Sequence, residues 1–374
     1  MNEYIIQLLS NFCLQGEVIS SCPYGNGHIN STRKITVDDN GATKDYILQK
    51  INTNVFKNPG ALMENYMGVT RFLRRKIQLL GGDPDRETLN IITTKDGKSY
   101  YTTEDGECWR LMLFVIDNIC YERVEKKEQF YESARAFGNF QRLLADYPAD
   151  TLHEIIPNFH NTPDRLRIFK EAVKADVCSR ASEVEAEIAF VLEREEFAST
   201  LERARNEGKL PIKVTHNDTK LNNILFDIKT GKPICVIDLD TIMPGYSVND
   251  FGDSIRFGAT TAAEDEADLS KVNFDISLYE LYVKGFIEGA GSGLSSSELE
   301  LLPIGAIMMT YECGTRFLTD YLQGDTYFRT SRPGHNLDRA RNQFKLVSDM
   351  EKNLEEMKRI VNNYCHLQAN TRRK

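Results

Sequence analysis

The run Val214-Thr215-His216-Asn217-Asp218-Thr219-Lys220-Leu221-Asn222-Asn223 sets an aspartate, a lysine and an asparagine at short intervals, in the pattern H-x-D-x-x-x-x-N. Transfer of a phosphoryl group to a hydroxyl needs a carboxylate beside the acceptor oxygen, to orient it and take its proton. It also needs an oxygen ligand for magnesium a short loop away. Asp218 and Asn223 have that spacing. Lys220 adds positive charge where negative charge must be stabilised in the transition state. Asp218 and Lys220 are therefore the candidate catalytic residues, and His216 suits bracing the loop by hydrogen bonds rather than acting as a base. An isolated stretch of this kind is more often a polar turn that caps a helix.

The sequel sets this one apart. Ile224-Leu225-Phe226, a turn around Thr230-Gly231-Lys232-Pro233, and Ile234-Cys235-Val236-Ile237 spell a β-hairpin that ends at Asp238. An antiparallel pair brings its ends together, so the hairpin would carry Asn223 and Asp238 to one place. Magnesium takes a few carboxylate or amide oxygens together with phosphate oxygens. Asn223 and Asp238 are the expected ligands, with Asp240 as an outer-shell helper. The triplet Asp250-Phe251-Gly252 matches the D-F-G in which protein kinases hold their metal. It falls twelve residues after Asp238 and beyond the turn residues Met243-Pro244-Gly245-Tyr246, so it is in the wrong place for that role.

The elements that must position these groups are legible in outline. The first 120 residues read as strands around one helix. A glycine turn, Tyr24-Gly25-Asn26-Gly27-His28-Ile29-Asn30, has the form G-x-G-x-x-N, and on the first hairpin of a sheet it can lay backbone N–H groups over ATP phosphates. Alone it is equally a plain hairpin turn. Asn40-Gly41 carries hairpin chemistry. The strand KDYILQKIN ends on Lys50, the candidate for pairing the α- and β-phosphates. Pro59 opens a helix with the apolar stripe Leu62, Tyr66, Val69, Phe72, Leu73 and Ile77, and Glu64 on that helix is the candidate partner of Lys50. Lys95-Asp96-Gly97-Lys98 and Asp105-Gly106 make two more turns. Phe114, Val115, Ile116 and Asp117 suit a linker whose backbone hydrogen-bonds adenine, or a core strand. Beyond it the chain is mostly helical, with long patterns at 125–147, 163–207 and 336–366. The expected fold class is α+β in two lobes: residues 1–117 a small antiparallel sheet with one helix, and residues 118–374 a large helical lobe with the catalytic loop.

Composition narrows the partners. The chain has 374 residues, 41% hydrophobic and 27% charged, with a net charge of −9, which argues against a general nucleic-acid surface. No apolar run approaches the roughly 18 residues of a membrane span. The N-terminus lacks a basic start and reads as a short amphipathic helix with Ile5, Leu8, Leu9 and Phe12 on one face, rather than a secretory signal. The eight cysteines include no C-x-x-C pair and mostly lie among apolar residues, so buried thiols in a reducing cytoplasm are expected.

The segments YGNGHIN, YILQKIN, VTHNDTKLNNILFD, VIDLDTIMPGYSVNDFGDSIRFG and ECGTRFLTDYLQGDTYF span residues 24–328. They resemble the aminoglycoside-phosphotransferase-like branch of the protein-kinase-like fold, and within it the N-acetylhexosamine 1-kinase group. The resemblance implies ATP and Mg2+ as cofactors and a sugar acceptor phosphorylated at its anomeric hydroxyl. It implies that His28 reaches the sugar, that Phe257 packs on it, and that Arg316 and Tyr327 bind it. It also implies that an aspartate of NDFGDSIRFG, Asp250 or Asp253, braces the catalytic loop. Two alternatives stay open: a kinase of the same fold for an aminoglycoside, choline or amino alcohol, and a nucleotide-binding protein without turnover. A hydrolase of sulfated mucin sugars is a weaker rival, because no cysteine stands in a C-x-P-x-R-type context.

Overall fold

Alternation along the first strands decides what the N-terminal sheet can cover on each face. A computed structural model describes residues 3–25 and 29–371. Helix α1 (Glu3–Leu9) is followed by β1 (Glu17–Pro23), β2 (Ser31–Asp39) and β3 (Ala42–Ile51), then by α2 (Pro59–Leu79) and the short α3 (Pro84–Glu87). The strands β4 (Ile91–Ile92), β5 (Tyr101–Thr102) and β6 (Cys108–Leu113) complete a six-stranded sheet in the order β1-β2-β3-β6-β4, with β5 also on β6. Its neighbouring strands pair antiparallel. Asn40 and Gly41 both take positive φ, 55° and 87°, and close the β2–β3 hairpin at the Asp39–Ala42 pair. Such a two-residue turn twists with the strands it joins.

Tyr46, Leu48 and Lys50 point to one face of β3, and Ile47, Gln49 and Ile51 to the other. The first face packs against α1: Ile5, Leu8, Leu9 and Phe12 are buried with Ile35, Val37, Tyr46, Leu48, Trp109 and Leu111. The N-terminal stripe expected from sequence is therefore a core element of the sheet. The helix α2 is capped by Asn58, whose side chain accepts from the Ala61 N–H, and has Pro59 in its first turn. Its stripe is buried except Phe72, which is half-buried and sets its ring edge-on to Tyr147 at 5.2 Å between centroids.

The chain divides into two compact units. The first joins Met1–Cys120 with Tyr147–Ile156 and Leu225–Met243, and the second joins Tyr121–Asp146, Pro157–Ile224 and Pro244–Lys374. A second small sheet has the order β10-β9-β7, with β7 (Asn118–Ile119) antiparallel to β9 (Ile224–Asp227) and β10 (Pro233–Val236) on its far side. The hairpin expected between Asn223 and Asp238 is thus present.

The second unit is helical. Helix α4 (Lys127–Leu143) answers the first long pattern. The second pattern is not one helix but α5 (Thr162–Ala175), α6 (Glu185–Leu192), α7 (Glu195–Ala198) and α8 (Thr200–Asn206). Asp176 caps α5 in the left-handed conformation at φ 37°, and Ser179 follows at φ 55°, which turns the chain out of the helix. After β8 (Lys213–Thr215) come α9 (Ser247–Gly258), α10 (Ile276–Ala290), α11 (Ser296–Leu322), α12 (His335–Lys352) and α13 (Leu354–Thr371). Among the described residues no helix is long and apolar enough to cross a membrane. Only Cys108 and Cys235 of the eight cysteines are buried, fewer than their flanks suggest, because strand and helix ends leave Cys13, Cys22, Cys120 and Cys178 exposed.

Helix α9 carries the D-F-G triplet and lies wholly inside the second unit. Phe251 is fully buried against the rings of Tyr279, Tyr282 and Phe286, at 6.0, 5.6 and 5.2 Å. Gly252 is where α9 meets α11: a Cβ added there would lie 2.2 Å from the Gly305 carbonyl oxygen, and one added at Gly305 would lie 2.4 Å from that of Val248. Only glycine permits this approach. Gly252→Ala is expected to cost about 2 kcal/mol through overpacking, read as a lowered urea midpoint; an unchanged midpoint would show that the helices separate freely.

Candidate functional site

The candidate catalytic loop begins where β8 ends. Thr215 and His216 are fully buried, and Asn217 takes the left-handed conformation at φ 63°, which reverses the chain and brings Asp218 back to the surface. The N–H groups exposed by this turn find two carboxylates of α9. Asp250 accepts from the His216 N–H at 2.9 Å, the Asn217 N–H at 2.8 Å and the Gln141 side-chain amide at 2.7 Å. Asp253 accepts from the Thr219 N–H at 3.0 Å. The Ser254 hydroxyl donates to the Thr219 carbonyl at 2.7 Å, and the Thr219 hydroxyl donates to the Asp250 carbonyl at 2.5 Å. Residues 250, 253 and 254 share one helix face. Both aspartates therefore brace the loop. His216 acts in the same sense: its Nδ1 accepts from the Asp218 N–H at 3.3 Å, and its ring meets the edges of Phe137 and Phe140.

Three side chains converge at the end of this loop. Lys220 lies 2.7 Å from an oxygen of Asp218. Asn223, in the 3-10 turn Leu221–Asn223, donates its amide to the Asp218 carbonyl at 2.8 Å and to the Asp218 carboxylate at 3.0 Å. Burial draws the Lys220 pKa down, but the carboxylates of Asp218 and Asp253 outweigh it and hold the ammonium charged. Burial likewise pushes Asp253 up, and Arg256 and Lys220 pull it below the usual carboxylate range. Arg256 grips Asp253 through Nε at 3.0 Å and Nη2 at 2.8 Å.

The first unit departs from expectation at Lys50. The sequence pairs Lys50 with Glu64, but Lys50 ion-pairs with Glu107, and Glu64 meets His153 Nε2 at 2.6 Å. The reason is the strand alternation. Lys50 shares its face with Leu48 and stands opposite Trp109 on β6, the side that α1 covers. Glu107 also accepts from the Tyr4 hydroxyl at 2.9 Å and from the Trp109 indole at 3.1 Å. The cation facing α2 is Arg110 instead, 1% exposed, over the ring of Tyr66 at 4.7 Å. It donates to both oxygens of Asp240, through Nη2 at 2.9 Å, and to Gln49. Asn30 adds a bond to Asp240 at 2.5 Å and accepts from the Asn52 N–H at 3.0 Å. Asp240 thus anchors this buried network through Arg110 and Asn30. Asp238 takes φ 59° just past β10, within electrostatic reach of Arg110. Gly25 has the positive φ, 76°, that its turn requires, whereas Gly27 and His28 lie outside the described residues. The Phe114 N–H bonds to the Asp45 carbonyl at 3.0 Å, and Ile116 is exposed.

Of the candidate acceptor residues, Arg316 and Tyr327 come together. The Arg316 guanidinium faces the rings of Phe159, Tyr327 and Phe328 at 5.4, 5.8 and 5.5 Å. Tyr327 is 67% exposed, and Phe257 is half-buried beside Arg256. The segment that carries Tyr327 and Phe328 is held by Asp320, which sequence reading missed. Asp320 accepts from the N–H groups of Thr326, Tyr327 and Phe328 at 2.9, 2.8 and 2.9 Å and from the Asn336 amide at 2.8 Å. An aspartate ahead of the turn Gln323-Gly324-Asp325 was the available signal.

A family model described as the phosphotransferase enzyme family matches residues 21–280. The chain belongs to this family. Solved structures agree on the fold. The microcompartment-associated aminopropanol kinase is 15% identical with a TM-score of 0.61, over 95% of this chain and 98% of that one. An aminoglycoside phosphotransferase from Alicyclobacillus acidocaldarius is 14% identical with a TM-score of 0.58, over 96% of each chain. A choline kinase from Cryptosporidium parvum is 14% identical with a TM-score of 0.56, over 96% of this chain and 98% of that one. The phosphotransferase thus has the expected kinase-like α+β fold, with an antiparallel-sheet N-terminal lobe and a mostly helical C-terminal lobe.

The donor set suits a magnesium ion that shares its shell with phosphates. Both amide hydrogens of Asn223 are directed at Asp218, which leaves Oδ1 as its acceptor. Asp250→Ala would strand three donors that the carboxylate now satisfies. It is expected to lower the stability of the phosphotransferase by about 3 kcal/mol or more, measured by urea denaturation. Wild-type stability with lost turnover would instead place Asp250 in the chemistry.

Proposed function

We propose that this phosphotransferase is an ATP-dependent small-molecule kinase that phosphorylates the anomeric hydroxyl of an N-acetylhexosamine, GlcNAc or GalNAc. The observation that carries the kinase reading is the loop clamped to α9, with Asp218 held between Lys220 and Asn223. Asp218 would orient the acceptor hydroxyl and receive its proton, and Lys220 would stabilise charge on the transferred group. Asn223 and Asp238, which bracket the β9–β10 hairpin, are the proposed magnesium ligands. Bound magnesium would neutralise charge on the nucleotide phosphates.

The preference for a sugar over an amine has its own support. Among the described residues Arg316 makes no close salt bridge, although its charge helps hold the Glu312 carboxyl down, and it lies near Arg165, whose pKa is lowered first by burial and then by Arg316. Two cations, Arg316 among the rings and Arg165 on the Phe159 carbonyl, disfavour a cationic acceptor and suit a neutral polyhydroxylated one. The anomeric position rests on the resemblance of the quoted segments. The second reading is an amino-alcohol or aminoglycoside kinase, favoured by the named activities of the structural neighbours.

Asp218→Asn is expected to lower kcat by about 100-fold or more while ATP binding stays nearly unchanged. Phosphorus NMR with ATP, magnesium and a panel of free sugars and amino alcohols tests the acceptor. A new phosphorus signal coupled to an anomeric proton supports the 1-kinase reading. Phosphate on another hydroxyl, or only on an amino alcohol, overturns it.

A further inference from the structure

The turn after β10 holds an exposed carboxylate in a conformation that its own backbone disfavours. Asp238 takes φ 59° and ψ 55°, in the left-handed region, and is exposed. For a residue other than glycine this conformation costs about 1 kcal/mol or more. It persists only where the surroundings over-determine it, and such positions gather at ligand clamps.

The surroundings of Asp238 are fixed on its C-terminal side. Leu239, Asp240 and Ile242 are all buried. The Ile242 carbonyl accepts from the Asn65 amide of α2 at 2.9 Å. Asp240 is gripped through both oxygens by Arg110, and Asn30 donates to it at 2.5 Å. Arg110 is itself held in place. Its Nε and Nη2 donate to the Gln49 carbonyl at 3.0 and 2.7 Å, and its face lies over Tyr66. Gln49 is oriented in turn, since its amide donates to the Thr32 hydroxyl at 3.0 Å. Asn30 is tied to the end of β3 by the Asn52 N–H at 3.0 Å. Residues of β2, β3, β6 and α2 thus converge on the turn that begins at Asp238, all within the first unit.

Stability alone is a poor reason for this arrangement. A buried ion pair gains little over apolar side chains of the same size, because both ions must leave water. Arg110 lies in the apolar strand CWRLML, where another apolar residue would fit the pattern. A two-pronged guanidinium adds direction: it fixes the plane of the Asp240 carboxylate and with it the backbone two residues from Asp238.

We propose that Arg110, Asp240 and Asn30 are positioning residues for Asp238 as a ligand of the nucleotide-bound metal. They hold the turn so that the strained aspartate stands ready, and the metal need not order it. Gln49 and Asn65 support them. This inference rests on the reading of Asp238 as a magnesium ligand and names what makes that ligand effective.

The test measures ADP affinity by isothermal titration calorimetry, once with magnesium and once with EDTA. The quantity read is the ratio of the two, the gain that the metal confers, so effects on the nucleotide alone cancel. Asp238→Ala is expected to remove most of the gain. Arg110→Lys keeps the charge but loses the fork, and is expected to shrink the gain about tenfold or more. Asn30→Ala removes one bond from a half-buried site and is expected to shrink it about fivefold. Asn30→Ala decides the matter if Arg110→Lys does not fold. If Asp238→Ala removes the gain while Asn30→Ala and folded Arg110→Lys keep it, or weaken ADP equally with and without metal, the positioning role is overturned and the metal ligand stands. If the gain is absent in wild type or survives in Asp238→Ala, the metal-ligand reading fails and takes this inference with it.

Discussion

Three backbone N–H groups of one loop, from His216, Asn217 and Thr219, are held by two buried carboxylates a helical turn apart on α9. The left-handed turn at Asn217 exposes these donors, and a buried donor without a partner is costly. The loop can therefore keep its shape only where an anion is fixed beside it. Asp250 and Asp253 are fixed because α9 itself is wedged: Phe251 fills an aromatic cluster, and Gly252 lets α11 approach at backbone distance. The familiar D-F-G triplet is thus three structural residues, a brace, a core ring and a helix crossing. Its chemistry is indirect, through the position it gives Asp218.

The first unit uses an analogous anion for a different purpose. Arg110 lies in the apolar strand CWRLML and is buried, which is tolerable because its donors are taken up by Asp240 and Gln49 and its face by Tyr66. Asn30 reaches the same carboxylate from the chain after the glycine turn. The position where a third glycine would stand in a protein-kinase loop thus carries an amide that ties the turn to the segment just after Asp238. Breaking one member of such a network leaves a buried charge unpaired, so the network specifies geometry as much as it adds stability.

Much of this was legible in the residues. The stripe Ile5, Leu8, Leu9 and Phe12, the Asn40-Gly41 turn, the cap before Pro59 and the hairpin after Asn223 follow from local periodicity and turn chemistry. The convergence of Asp218, Lys220 and Asn223 follows from short spacing alone. What was not legible depends on which element covers which face. The alternation Tyr46, Leu48, Lys50 is plain in the sequence, but nothing local says that α1 rather than α2 lies on that side. Lys50 was therefore assigned the wrong partner. Arg110 was visible as a lone charge in an apolar strand, yet its counter-ion is 130 residues away. The break at Asp176 escaped notice because charge and apolar periodicity both continue across it.

The part of the second unit around Arg316 shows why buried polarity is worth keeping. Asp253, Glu312 and Asp320 are all buried carboxylates, and each is saturated by named donors: Arg256 and the Thr219 N–H, His160 and Thr162, and three consecutive N–H groups with Asn336. Saturated anions fix their neighbours without offering themselves to a ligand. The Arg316 guanidinium beside them is faced by three rings, and its charge helps hold Glu312 ionised. The electrostatic character of the region thus depends less on the charges it contains than on which of them the fold has already satisfied.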